Sequence, residues 1–492
     1  MKRLIALSAA LLLGGCMVGP NYKHPAPTPA ATGPFVEPQK SAADLPAHWW
    51  RLYDDPTLDA LITEALANNT DVRVAAANLK KARYVLAEAH GKLLPTTTPS
   101  ASYTRVRQGT AALGATGNIA AAGTGATAGL PDAYTYNSYS AGFDVNYELD
   151  LFGGVRRGIE AARGDYGAAE AALDAARVAV AADTARAYGD SCGYAAQVAD
   201  ARETMTLEAK TVDLTERLNA GGGGTMRDVD QARTVYEQAA ASLANLEAER
   251  RATLDALAVL TGKPPAALDP IVATCTAPPK LSAPLPNGDG RALLARRPDV
   301  RRAERQLAAD TARVGVATAD LYPTITLAGS VSLGATRFSD IGKARSLSYS
   351  LGPLISWNFP IQSEARARVR QARAQAESSL ASFDGAVLTA LKETEQALAR
   401  LDGQAKQNAA LGRAYASAAD AYKLSQYRFD AGADNFLQLL DAERTRAQAS
   451  AALAQSNSAL IDAEIDLFRA LGGGWEDAPA VNEKPLKGNA TH

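Results

Sequence analysis

Apolar and polar positions alternate along this chain with two periods, which succeed one another in the same order twice. From Tyr139 to Leu149 every odd position is apolar (Tyr139, Ala141, Phe143, Val145, Tyr147, Leu149) and every even one is polar or glycine (Ser140, Gly142, Asp144, Asn146, Glu148). A two-residue period predicts a strand with one apolar face. Ile325, Leu327, Val331 and Leu333 alternate likewise with Thr324, Thr326, Ser330 and Ser332; Tyr349, Leu351, Ile355, Trp357, Phe359 and Ile361 stand against Ser348, Ser350, Gly352, Ser356 and Asn358. On either side of these segments the period is helical. In the first half we expect a helix over 55–92, strands over 97–108 and 135–149, a long helix over 153–219 and a shorter one over 225–262. Thr225 with Asp228 three residues on forms a capping-box signature at the start of that shorter helix. The second half repeats the order, with a helix over 291–320, strands near 324–337 and 347–361, and helices over 364–430 and 434–471.

The residues themselves repeat. Asp71-Val72-Arg73 through Leu93-Leu94-Pro95 recurs as Asp299-Val300-Arg301 through Leu321-Tyr322-Pro323, and Tyr139-Ser140 with Gly142 to Tyr147 recurs as Tyr349-Ser350 with Gly352 to Trp357. A third alignment sets Ala220-Gly221, Asp230 and Arg233 against Ala431-Gly432, Asp441 and Arg444, and Leu260 and Gly262 against Leu471 and Gly473. A tandem duplication follows. Its plan is a signal peptide at 1–15, a Pro-rich tether at 16–54, a first repeat at 55–262 with its hairpin at 97–149, a linker at 263–290, a second repeat at 291–471 with its hairpin at 324–361, and a tail at 472–492.

A helix of roughly 67 residues rises about 100 Å, far more than a globular domain accommodates. Strands of about ten alternating residues are the signature of a membrane barrel. Four strands cannot close one, and open edges are not tolerated in hydrocarbon, so several copies of the chain must share a barrel. Both ends of each hairpin lead into helices, which puts all helices on one side of the membrane and the hairpin loops, including the insert Gly109 to Gly129, on the other. The helix turns near Gly221 and Gly432 then lie about 100 Å from the membrane. The linker and the tail would form a belt about halfway along. The fold class expected is an α+β membrane protein, a β-barrel continuous with a long α-helical barrel.

Lys2 and Arg3 precede an apolar stretch, Leu4 to Leu13, too short to span a bilayer and shaped like a secretory signal. It runs into Leu13-Gly14-Gly15-Cys16, which resembles a bacterial lipobox and makes Cys16 the expected lipidation site. The other cysteines, Cys192 and Cys275, permit a disulfide without implying one. The four histidines, His24, His48, His90 and His492, show no metal-ligand spacing, so no metal is expected. A net charge of -2 gives no footprint for nucleic acid. No GxSxG or HExxH motif occurs, and an enzyme is not expected. No cofactor is expected beyond the covalent lipid on Cys16.

These residues resemble the TolC/OprM-like outer-membrane factor family, in its lipoprotein, NodT-type branch. The resemblance rests on Cys16-Met17-Val18-Gly19-Pro20-Asn21-Tyr22, on Trp49-Trp50 with Leu58, on Arg297-Pro298-Asp299-Val300, and on Tyr427-Arg428-Phe429 with Gly432 and Leu439-Leu440-Asp441-Ala442. It implies a homotrimer with a twelve-stranded barrel, four strands per chain, above a periplasmic helical tunnel, in the outer membrane. Its implied partners are outer-membrane lipid, a periplasmic adaptor and an inner-membrane transporter of proton-driven RND type. It also implies a periplasmic gate at Leu437 and Asp441, with Arg428 free to hold the closed state by a salt bridge; three converging carboxylates would repel one another and favour cations. Asp230 is a further gate candidate, although Asp230 and Asp441 could simply pair with Arg233 and Arg444 one turn on. The adaptor would dock on the turns at Gly221, Gly222, Gly432 and Ala433. The expected function is the outer-membrane channel of a tripartite efflux pump; the alternatives are a type I protein or peptide secretion duct and a structural envelope lipoprotein.

Overall fold

The computed structural model describes residues 17–36, 46–109, 133–282, 288–357, 359 and 362–482. The expected signal peptide, Cys16, the insert beyond Gly109, Asn358, Ile361 and the end of the tail lie outside these residues. The chain divides into two compact units.

The first unit comprises Met1–Lys23, Arg83–Asp165 and Leu307–Ser378 and holds a four-stranded antiparallel sheet in the order β1-β2-β3-β4. Its strands are β1 (Thr96–Gly109), β2 (Ala133–Leu149), β3 (Thr324–Ala335) and β4 (Leu347–Ser356). Residues paired directly across a ladder share a face. The register sets Phe143 opposite Val331 and Val331 opposite Tyr349, Leu149 opposite Ile325 and Ile325 opposite Ile355. The odd positions therefore share one face, apolar across β2, β3 and β4 up to the Tyr103–Tyr139 pair and polar beyond it, where Arg105 lies opposite Asn137 and Arg107 opposite Thr135. That face is open: Phe143 is 46% exposed, Val331 48%, Tyr349 81% and Ile355 65%. The even face is mainly polar, with Val106, Tyr136 and Leu354 as exceptions, and its serines pair across strands, Ser102 with Ser140 and Ser330 with Ser350, each at 2.8 Å. At the strand ends Trp357 stacks on Phe359 and donates its indole N–H to the Leu321 carbonyl at 3.2 Å. In the β3–β4 connection Asp340 accepts from Lys343 and Arg345, both at 2.6 Å, and these bonds pull its carboxyl down to about 2. The segment beginning at Met17 is held to this unit through Arg157, whose buried guanidinium donates to the carbonyls of Val18 and Gly19 and to Asn21.

Eight α-helices are found among the described residues: α1 (Pro56–Asn68), α2 (Thr70–Gly91), α3 (Gly154–Ala220), α4 (Met226–Leu260), α5 (Gly290–Arg296), α6 (Pro298–Ala319), α7 (Ser363–Asp430) and α8 (Phe436–Ala470). Two helices expected to be continuous are broken. Asn69 leaves the helical region, and its side chain accepts from the N–H groups of Asp71 and Val72, capping α2 as α1 ends. Arg297 is extended because Pro298 follows it and the residue before a proline is pushed out of the α region. Neither break was visible in the apolar period, which passes through both.

The second unit comprises His24–Ala82, Tyr166–Gln306 and Ser379–His492. Its main core gathers Trp49 and Trp50, each 1% exposed, with Leu58, Ile62, Leu257, Leu467 and Phe468. Trp49 stacks on Phe468 with centroids 4.4 Å apart, which accounts for the Trp-Trp pair noted in the sequence. Cys192 of α3 and Cys275, left as an open possibility above, form a disulfide. The segment after α4 is also fastened by Arg250, which donates to the Ala273 carbonyl at 2.6 Å, and by Ser282, which donates to Leu52. Arg297 is 7% exposed and donates to Asp299, Glu393 and the Ala470 carbonyl, tying the start of α6 to α7 and to the end of α8. Among the described residues no helix is long and apolar enough to cross a membrane.

Candidate gate and docking turns

Two helical hairpin ends carry the candidate residues, and their backbones are built alike. At the end of α3 the Gly221 N–H reaches the Arg217 carbonyl at 3.0 Å and the Gly223 N–H reaches Leu218 at 2.9 Å, around Gly222 at φ +78°. At the end of α7 the Ala431 N–H reaches Tyr427 at 3.1 Å and the Ala433 N–H reaches Arg428 at 2.8 Å, around Gly432 at φ +70°. Both are helix terminations in which a left-handed residue turns the chain so that late carbonyls find donors. Each following helix opens on a capping box, Thr225 with Asp228 for α4 and Asn435 with Gln438 for α8. The Thr225 hydroxyl and N–H hold the Asp228 carboxyl below its usual range. The sequence showed the first box; the second uses Asn and Gln in place of Thr and Asp.

This geometry corrects the third repeat alignment by one residue. Gly222 is the counterpart of Gly432, Met226 of Phe436, Leu260 of Ala470 and Gly262, at φ +76°, of Gly472, at φ +71°. Gly221 is therefore not the partner of Gly432, nor Asp230 of Asp441. One residue turns a helix by about 100°, so the two aspartates project from different faces of their helices.

Leu437 and Asp441 lie four residues apart on α8, hence on one face, and Leu437 is 53% exposed. Asp441 is exposed and accepts from Arg444 of its own helix at 2.9 Å, the pairing offered above as the alternative to a gate role. For Asp230 that alternative fails: Arg233 donates instead to Glu216 of α3 at 2.9 Å. Arg428 donates to Asp434 at 2.8 Å, within its own turn. Asp434 was missed; its signal is an acid in the short stretch between Gly432 and the capping residue Asn435. Gly221, Gly222, Gly432 and Ala433 are all exposed at the two tips. Arg428, Leu437 and Asp441 thus share the α7–α8 end, whereas Asp230 belongs to the α3–α4 end.

The family model described as outer membrane efflux protein matches residues 61–263 and 290–473, two blocks that fall on the two repeats. The chain is 31% identical over 478 residues to outer membrane protein OprJ of Pseudomonas aeruginosa, covering 97% of this chain and 96% of that protein. It is 29% identical over 468 residues to nodulation protein T of Rhizobium leguminosarum bv. trifolii, covering 95% and 96%. Among solved structures, the outer-membrane channel OprN is similar with a TM-score of 0.81 at 34% identity, covering 94% of this chain and all of that one.

Proposed function

Since this chain belongs to the outer membrane efflux protein family, we propose that it is the exit duct of a tripartite efflux pump, working as a homotrimer. The observation that carries this reading is the open apolar face of the sheet, with β1 and β4 as unpaired edges among the described residues. A face of that kind is stable against lipid, and its edges need sister strands from other copies, because unpaired backbone groups are costly in hydrocarbon. Three copies give twelve strands, and the helices of 67 and 68 residues, α3 and α7, continue the duct into the periplasm. Cys16 carries the lipid that anchors the chain.

Transport is passive in this reading, with energy supplied by an inner-membrane, proton-driven transporter of RND type. A periplasmic adaptor seats on the tips at Gly221, Gly222, Gly432 and Ala433. The gate is the α7–α8 end, where Leu437 makes an apolar constriction and Asp441 a ring of carboxylates that repel one another and attract cations. Arg428 and Asp434 hold the turn that presents them. Asp230, which lost its equivalence to Asp441, is not included. Planar-bilayer recording of the purified protein tests the reading: Leu437→Ala and Asp441→Ala should raise the open fraction of a cation-preferring pore. A protein that gives no pore, with or without those substitutions, overturns it.

A further inference from the structure

We infer that Glu208 of α3 and Glu443 of α8 form a proton-operated latch, which packs the two helices together while the pair holds a proton and loosens them when the proton is lost. The two side chains are 1% and 3% exposed, and the nearby Arg446 is 9% exposed. Glu443 accepts from the Thr211 hydroxyl at 3.1 Å. Glu208 Oε2 is buried without a hydrogen-bond partner, and so is Nε of Arg446. The Arg446 guanidinium stands over the Tyr422 ring of α7 at 5.2 Å and reaches toward Glu203 at 3.5 Å. One cation therefore serves three carboxylates, two of them buried. An ionised pair at such a site has no full compensation, and an unpaired buried charge is costly.

The remaining charges nearby do not supply the missing cation. On α3, Asp200 accepts from Ser450, and on α8, Arg444 is engaged with Asp441. The α4 residues that share a groove with Glu208, Val235, Gln238, Ala239, Ser242 and Leu246, are uncharged. Glu208 lies on a groove of about 360 Å³ between α3, α4 and α8, which gives protons a way in. Burial, and then the charge of Glu443, pushes the Glu208 carboxyl up to about 7 against the pull of Arg446. Burial likewise raises Glu443, opposed by Thr211 and Arg446. A carboxyl raised on folding favours the packed state when protonated. Its contribution is complete below the ordinary glutamate range and disappears as pH climbs through about 7. Glu443 is two residues beyond Asp441, so loosening α8 here would reach the end of the hairpin. That last consequence, for conduction, rests on the channel reading; the packing of α3 on α8 does not.

Amide hydrogen exchange of the full-length protein in detergent tests the latch, read on peptides spanning 205–215 and 436–447 and corrected for intrinsic rates. Between about pH 5.5 and about pH 8 the wild-type protection should fall on the order of tenfold. Glu208→Gln, which mimics the protonated acid, should stay protected and vary less than about twofold, and its difference infrared spectrum should show a weaker carboxylic-acid carbonyl band than the wild type below neutrality, the remainder coming from Glu443 and Glu464. Glu208→Leu is a second neutral variant, expected to behave in the same way. A wild type with no pH dependence, or neutral variants that keep its slope, overturns the latch. If protection follows pH but no current is ever recorded, the channel reading fails and the latch stands; if current flows while protection is flat, the reverse holds.

Discussion

The α3–α4 and α7–α8 ends share a backbone and differ in chemistry. Each turns on a left-handed glycine, Gly222 or Gly432, and each restarts on a capping box. Equivalent positions, Val229 and Leu439, are buried in both. Between them the first end carries Arg227 where the second carries Leu437, and Gln231 where the second carries Asp441. After duplication the positions that shape the turn were kept by conformational need, while the exposed positions were free to diverge. Only the α7–α8 end joins an exposed leucine and a carboxylate on one helical face.

Substitutions at paired positions test how far the likeness extends. The largest effect is expected from truncating the shared buried position, about 3 kcal/mol for Leu439→Ala and about 2 kcal/mol for Val229→Ala, measured as loss of helical circular dichroism in denaturant. Next come Gly222→Ala and Gly432→Ala. A Cβ meets nothing within 4 Å at either glycine, so the cost is conformational alone, about 1–2 kcal/mol and equal at the two ends. Unequal costs would show that the turns are alike only in outline. Removing the capping residue by Thr225→Ala or Asn435→Ala should cost about 1 kcal/mol each in the same measurement. Smallest are Asp230→Ala and Asp441→Ala, which should change stability by less than about 0.5 kcal/mol, since both aspartates are exposed. These two should nonetheless separate in bilayer recordings, Asp441→Ala altering cation preference and Asp230→Ala leaving it unchanged.

Much of this fold was legible because periods of two and of 3.6 residues are imposed by geometry and recur wherever one face is buried. The strands of β2 and β3, the long helices and the Thr225 cap could be read in that way. The breaks at Asn69 and Arg297 could not, because one extended residue barely disturbs a helical period. The register of the last repeat pair was misread for a related reason: identical letters at Asp230 and Asp441 outweighed the glycines, although the positive φ of Gly222 and Gly432, and of Gly262 and Gly472, fixes the equivalence. Leu437, Asp441 and Arg428 were found by resemblance, and the structure places them at one hairpin end. Asp434, Glu208 and Glu443 were invisible, since their importance comes from neighbours distant in sequence or from burial that no local pattern records.

The bond between Cys192 and Cys275 joins residues 83 apart and encloses the lower part of α3, the Gly222 turn and the whole of α4. That hairpin is thus a covalent ring, while α7 and α8 are covalently joined through their turn and otherwise held by contacts such as Asn408 donating to Asn457 and Arg446 over Tyr422. A protease that nicks the ring at its glycine tip leaves one species on a non-reducing gel and two fragments after thiol treatment, whereas a nick at Gly432 releases two pieces in either case.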